Sequence, residues 1–323
     1  MGFFACGCCR FRIPYVRNPS VDFYSMISHP TDVQSSLCRL SPVSYTHLDV
    51  YKRQLFLELG STARVMAGAT DLIPPMKDKV ISPEYIIDLK KIPGLDYLEY
   101  DDREGLKIGA LTTLRTIETS PLVKEKNPAV AHAAKVVAST QIRTKGTMAG
   151  NICNASPSCD TAPNLLAQGA KILVQGPNKD RVIQIEDFFL GVKKTSLEPG
   201  EIVTGIVIPP LAENERAAYI KHAVRKAMDL AIIGVAVKIK VEDGVCTDAR
   251  IALGAVAATP VRAPRAEEAL IGKELTDEVI VKASEEAMNS CHPISDIRAS
   301  AEYRKDMIRV FTKRAIKQAM ECS

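Results

Sequence analysis

Apolar residues return at helical spacing near the end of the chain, where Met307, Ile308, Val310, Phe311, Ala315 and Ile316 mark one face of a helix over residues 299–320. Before it the pattern is mixed. Residues 217–224, 231–242 and 249–257 read as strands, with Asp243-Gly244 as a hairpin turn, and residues 265–271 and 277–288 read as helices. The longest apolar run, 230–237, is followed by Lys238 and Lys240, as in a strand with one wet face. It is far shorter than the roughly 20 residues needed to cross a bilayer.

The middle of the chain alternates less regularly. Residues 55–59 read as the end of a helix stopped by Gly60. Short strands follow at 63–67, 85–89 and 106–111, and helices at 113–120 and 129–139, the second entered through Pro128. Residues 171–174 and 181–185 flank a Gly-Pro-Asn turn as a hairpin, and 201–208 is a strand closed by Pro209-Pro210. Strands and helices without strict alternation indicate an α+β fold. A length of 323 residues suggests two domains, divided by a linker at 209–216. The expected domains are 55–209 and 215–323.

Residues 1–54 have no sustained period and are broken by Pro14, Pro19, Pro30 and Pro42. The run from Ser44 to Gln54 closely resembles a translated sequencing adaptor. This segment is expected to be foreign and not part of the fold, and its first residues lack the charge order and cleavage pattern of a targeting signal.

Composition narrows the function. The chain is 46% hydrophobic and 25% charged with a net charge of +4, so neither a nucleic-acid partner nor an acidic tail is indicated. The cysteines are odd in number, nine, and apart from Cys6, Cys8 and Cys9 they are widely scattered, so they do not make a disulfide framework, which points to a cytoplasmic protein. Cys153 and Cys159 are too few to hold a cluster, so they and the isolated His132, His222 and His292 read as structural.

Two segments carry chemistry. The first is Met66-Ala67-Gly68-Ala69-Thr70-Asp71-Leu72. Small residues let a backbone approach a ligand, and consecutive N–H groups can form an anion nest; an ordinary strand-to-helix turn has the same composition. The second runs from Gln141 to Asp160 and includes Thr147, Gly150, Asn151 and Asp160 among Gly, Ala, Ser and Thr. It reads as a long loop of small residues suited to wrapping a large polar ligand. No GxGxxG occurs, which disfavours a Rossmann site.

In this order and separation the two segments resemble the FAD-binding subunit of the molybdenum hydroxylase family, which includes xanthine, carbon monoxide and nicotinate dehydrogenases. The family patterns are approximately Ala-Gly-Gly-Thr-Asp-Leu and Gln-Ile-Arg, a spacer, then Thr-x-Gly-Gly-Asn. Residues 108–113, Tyr219-Ile220-Lys221 with Arg225 and Asp229, and residues 252–260 match further elements. The resemblance covers residue 55 to the end. It implies a PCMH-type FAD-binding fold of two subdomains followed by a C-terminal α+β domain.

The resemblance also implies roles. Ala67, Gly68, Ala69, Thr70, Asp71 and Leu72 would surround the FAD pyrophosphate, with Thr147, Gly150 and Asn151 opposite. Asp160 would reach the ribose or adenine side, and Lys221 would lie near the flavin or a nicotinamide nucleotide. FAD would be noncovalent and no residue of this chain would be a catalytic acid or base. A molybdopterin-binding large subunit would hydroxylate substrate, and 2Fe-2S clusters on a small subunit would feed electrons through FAD to an acceptor such as NAD. Ala69 and Ala149 stand where the family usually has Gly; either at positive φ would weaken FAD binding. The alternatives are a flavin-free assembly module and a stand-alone PCMH-type flavin oxidoreductase.

Overall fold

A computed structural model describes residues 15–16, 56–90 and 92–321 of the chain. Three parallel strands come first, β1 (Tyr15–Val16), β2 (Ala63–Met66) and β3 (Tyr85–Asp88), in the order β1-β3-β2. Tyr15 pairs with Ile86 and Val16 with Ile87. In that respect the expectation that residues 1–54 stand apart from the fold is corrected, because two of them form an edge strand. The rest of that segment, including the adaptor-like run, lies outside the described residues. Helix α1 (residues 56–59) ends where Gly60 takes φ +52, and a single 3-10 turn leads into β2. α2 (Ile73–Lys77) connects β2 to β3. Ala63, Ile87, Leu89 and Leu95 form a small core, with Phe56 and Leu59 packed on it.

The second unit is an antiparallel sheet under a layer of short helices. β4 (Leu98–Asp101) and β5 (Gly105–Gly109) precede α3 (Leu114–Thr119), α4 (Pro121–Lys126), α5 (Pro128–Lys135), α6 (Thr140–Arg143), α7 (Met148–Cys153) and α8 (Ala162–Gln168). β6 (Lys171–Gln175), β7 (Asp180–Gln184), the small hairpin of β8 (Phe189–Gly191) and β9 (Lys194–Thr195), and β10 (Ile202–Ile208) follow. The sheet order is β4-β5-β10-β6-β7. Thr113, Ser120, Asn127, Ser139 and Thr147 cap α3 to α7, each side chain accepting a backbone N–H of the first turn. These caps explain what the apolar pattern hid. α4 starts on Ser120 and Pro121, where the expected helix 113–120 ends and no element is expected, and the supposed loop 141–160 holds most of α6 and all of α7.

The third unit is built on β11 (Glu215–His222), β12 (Ile233–Glu242), β13 (Val245–Gly254) and β14 (Val261–Arg262), with β15 (Lys273–Glu274) paired to β13. Asp243 and Gly244 turn β12 into β13 with φ +50 and +82. α9 (Pro264–Leu270), α10 (Asp277–Asn289) and α11 (Ala301–Glu321) share a core with Val235, Val237 and Ile239 of β12. On the other face Ala236 and Ala252 join the core of the second unit, against α8, whose seven residues are all buried. The single wet face expected after residue 230 is therefore wrong for 233–237, which is buried throughout. The alternation shows only from Lys238 onward, and Lys238 pairs with Glu215 at 2.9 Å. Among the described residues no helix is long and apolar enough to cross a membrane.

Candidate functional site

β2 ends at Met66, and the chain then turns through residues 67–72. Ala69 adopts φ +62, and its carbonyl accepts from Leu72 N at 3.1 Å and Ile73 N at 2.9 Å. Among the described residues the amides of Gly68, Ala69, Thr70 and Asp71 donate to no backbone carbonyl. A left-handed residue among free amides makes a concave cluster of donors, which suits an oxyanion. The positive φ lies at Ala69, one of the two positions where the family pattern has Gly. Ala149 does not share it, being buried inside α7. A left-handed Ala costs about 1–2 kcal/mol. Ala69→Gly should therefore raise the stability of the apo chain by about 1 kcal/mol after the added chain entropy is subtracted. A thermal midpoint that stays or falls would contradict this.

The second segment packs directly on the first. A Cβ built on Gly68 would lie 2.0 Å from Lys145 O and 2.8 Å from Gly146 Cα, so only glycine permits this approach. A Cβ on Gly146 would sit 3.2 Å from Thr70 Oγ1. Gly146 O accepts from Leu114 N at 2.8 Å, and Thr113 bridges Thr147, which brings the matched element 108–113 to the same place.

Arg143 fixes the approach to this crossing. It is buried, with Nε donating to Glu118 Oε2 at 2.8 Å and Nη1 to Val137 O at 2.8 Å. Arg143 and Arg115 hold the Glu118 carboxyl below its ordinary range against the opposing effect of burial. Val136 O accepts from Lys221 Nζ and Ala138 O from Met228 N, so three consecutive carbonyls tie α6, β11 and the β11–β12 loop together.

α7 carries the remaining second-segment residues. Thr147 Oγ1 accepts from Gly150 N at 3.0 Å. Asn151 turns toward residues 159–161, where its Oδ1 accepts from Thr161 Oγ1 at 2.7 Å and Cys159 Sγ at 3.0 Å. Asp160 is buried, and its Oδ2 accepts from Lys221 Nζ at 2.8 Å while Oδ1 has no partner. Burial pushes the Asp160 carboxyl up to about 6, against the pull of Lys221. Lys221 spends its three N–H groups on Asp160, Val136 O and Asp229 O. Near it the Tyr219 hydroxyl is also buried without a partner, and burial and Asp160 raise its pKa well above the ordinary value.

Residues 67–72 thus meet Lys145 and Gly146, which lead directly into α7 with Thr147, Gly150 and Asn151, and Asn151 in turn holds Cys159 and Thr161 on either side of Asp160, the partner of Lys221. The sequence reading missed Arg143 as a strut, Tyr219, and Lys193 with Asn154. Arg143 stood in a quoted motif without a role. Lys193 lies between strands of three and two residues, too short to show a period.

The Cys153 thiol is exposed yet pushed up to about 12 by surrounding protein, and Asp71 is exposed yet raised by burial. The residues fit an anionic, hydrogen-bonding cofactor: amides at the crossing without a backbone acceptor among the described residues, and a buried carboxylate oxygen without a donor. The comparisons with known proteins give the class and the family. Residues 42–211 match the FAD-binding domain of molybdopterin dehydrogenases and residues 218–319 the C-terminal domain of the carbon monoxide dehydrogenase flavoprotein. The chain is 35% identical over 276 residues to the glyceraldehyde dehydrogenase medium chain of Sulfolobus acidocaldarius, covering 85% of this chain and 97% of that one. Carbon monoxide dehydrogenase from Hydrogenophaga pseudoflava matches in structure with a TM-score of 0.81 at 35% identity, over 84% of this chain and 93% of that one. Quinoline 2-oxidoreductase from Pseudomonas putida 86 matches with a TM-score of 0.78 at 28% identity, over 84% and 93%. The chain belongs to the FAD-binding medium subunits of the molybdenum hydroxylase family.

Proposed function

We propose that this chain holds FAD noncovalently at the crossing of residues 67–72 with 147–151 and relays electrons for a molybdenum hydroxylase complex. The observation that carries the reading is the contact of Gly68 with Lys145 and Gly146, which puts both cofactor segments in one place. The free amides of 68–71 would hold the diphosphate, and Thr147, Gly150 and Asn151 the opposite wall. Asp160 would accept a hydrogen bond from the cofactor on Oδ1, and Lys221 would keep Asp160 in place. FAD, when bound, supplies reversible one- and two-electron chemistry.

The partners in this reading are a molybdopterin-binding large subunit, where hydroxylation takes place, and a small subunit whose 2Fe-2S clusters feed electrons to FAD. An acceptor such as NAD takes them away. The buried free thiols of Cys159, Cys246 and Cys291 support a cytoplasmic location. The proposed domain limits are 55–209 for FAD binding, which takes in the first two units, and 215–323 for the C-terminal domain, which takes in the third.

The test combines flavin release with a variant. The purified chain should be yellow, and acid precipitation should release its flavin into solution; flavin left in the pellet would refute noncovalent binding. Gly150→Val should fold but lose the flavin. Outside the backbone of its own helix, a Cβ there meets only Thr147 Oγ1, at 3.0 Å, among the described residues, so a larger side chain would enter ligand space without breaking the core. A folded variant with normal flavin content would remove Gly150 from the site, and a colourless wild type would favour the assembly-module reading.

A further inference from the structure

Two grooves border α10, and Val281 lines both. The first, of about 290 Å³, is formed by α10 and α11 together. Val281 and Val310 supply its apolar lining, and its charged residues are Arg309, Lys313, Arg314 and Lys317, with no carboxylate among them. The second, of about 560 Å³, carries Asp277, Glu278, Glu285 and Glu286, and among the described residues Lys282 is the one cation that lines it. A basic groove and an acidic groove thus stand side by side on the third unit.

Little of this charge is neutralised within the chain. Lys317 pairs with Asp277, which ties the end of α11 to the start of α10. Arg309, Lys313, Glu278 and Glu285 make no ion pair among the described residues. Arg309, Lys313 and Lys317 recur at every fourth position of α11, so like charges stand one turn apart and repel. A partner that brings carboxylates at a matching interval would relieve that repulsion. The acidic groove has the interval. Glu278 and Glu286 are eight residues apart on α10, as Arg309 and Lys317 are on α11. Each pair therefore spans about 12 Å along its helix. A two-fold axis passing beside Val281 would exchange the grooves and lay the acidic face of each copy on the basic groove of the other. An isologous contact requires this self-complementarity.

We propose that α10 and α11 form a docking surface for a second copy of this chain, with Glu278, Glu285 and Glu286 of each copy set against Arg309, Lys313 and Lys317 of the other. The surface shares no residue with the cofactor segments, so it does not rest on the FAD reading. Exposed ion pairs each contribute little and are screened by salt, so the dimer is weak and salt-sensitive.

Sedimentation velocity of the full chain tests this. At about 50 mM salt the chain should dimerise in the range of tens of micromolar, and raising the salt to about 500 mM should weaken association about tenfold. Arg309→Glu with Lys313→Glu sets acid against acid in both halves of the contact, and Glu278→Lys with Glu285→Lys sets base against base. Each of these variants alone should be monomeric. Mixed one to one, they should form a heterodimer of near wild-type affinity, because each half then joins opposite charges; restoration on mixing also shows that both are folded. A dimer that either variant leaves intact would overturn the proposal, as would two variants that fail to associate on mixing. A wild-type chain that stays monomeric at about 100 μM in low salt would overturn it too. Binding of poly-glutamate by such a monomer, lost in Arg309→Glu with Lys313→Glu, would assign the basic groove to an acidic segment of another protein instead.

Discussion

Lys221→Met should destabilise the folded chain at pH 7.5 by about 3–5 kcal/mol, and that loss should shrink as the pH falls. Lys221 and Asp160 are both buried and 2.8 Å apart. Removing the lysine leaves a carboxylate whose Oδ1 already lacks a partner without its one cation. The sign of the pH effect follows from the Asp160 carboxyl, which burial pushes up to about 6 even with Lys221 present. Without Lys221 the folded value rises further above the unfolded one. A group whose folded pKa is raised binds its proton more readily in the native state, so the variant gains stability as the pH falls through that value. Asp160→Asn should behave differently. It strands the ammonium, which acid does not neutralise, so its loss should persist from pH 7.5 to pH 5. The double variant Asp160→Asn with Lys221→Met should lose less than the sum of the two. Denaturant unfolding at pH 7.5 and pH 5 reads all three. Equal pH dependence in the two single variants would show that the pair is not coupled as described.

The same pair shows how much of the site the sequence disclosed. Asp160 and Lys221 were legible as separate residues, each on a matched motif. Their 61-residue separation concealed that they bind each other. The contact gives Lys221 a partner within the protein that its motif alone did not disclose. Arg143 is similar, because its partner Glu118 sits 25 residues away and no local period connects them.

The fold was legible where one face is wet and opaque where both are covered. The amphipathic α10 and α11 and the hairpin β6–β7 match their apolar patterns closely. β12 did not, because helices cover one face and α8 the other, so its alternation disappears between Ile233 and Val237. Residues 141–160 failed for another reason. Gly and Ala in α7 read as loop residues when taken singly, whereas Ser139 and Thr147 act as helix caps that the apolar period does not register. Tyr15–Val16 was missed because a two-residue strand has no period at all.

Gly68→Ala should cost the chain both stability and flavin, which separates it from every other variant at the crossing. The added methyl would stand 2.0 Å from Lys145 O and 2.7 Å from Lys145 C. Both are backbone atoms and cannot rotate away, so the two segments must part. Overpacking of this kind costs about 1–3 kcal/mol, and parting the segments also removes the surface on which the cofactor would rest. Gly146→Ala should be milder. Its nearest atoms lie at 3.2 Å, and one of them, Thr70 Oγ1, is a side chain that can move. The next residue after Gly68 has the opposite requirement, since Ala69 is strained by φ and gains from losing its methyl. Adjacent positions should therefore respond with opposite signs: Gly68→Ala lowers the thermal midpoint and empties the site, while Ala69→Gly raises the midpoint. Flavin content and thermal midpoint of the two purified variants decide the matter. A Gly68→Ala protein with wild-type flavin content would mean that residues 67–72 do not approach residues 145–146 in solution as they do in this structure.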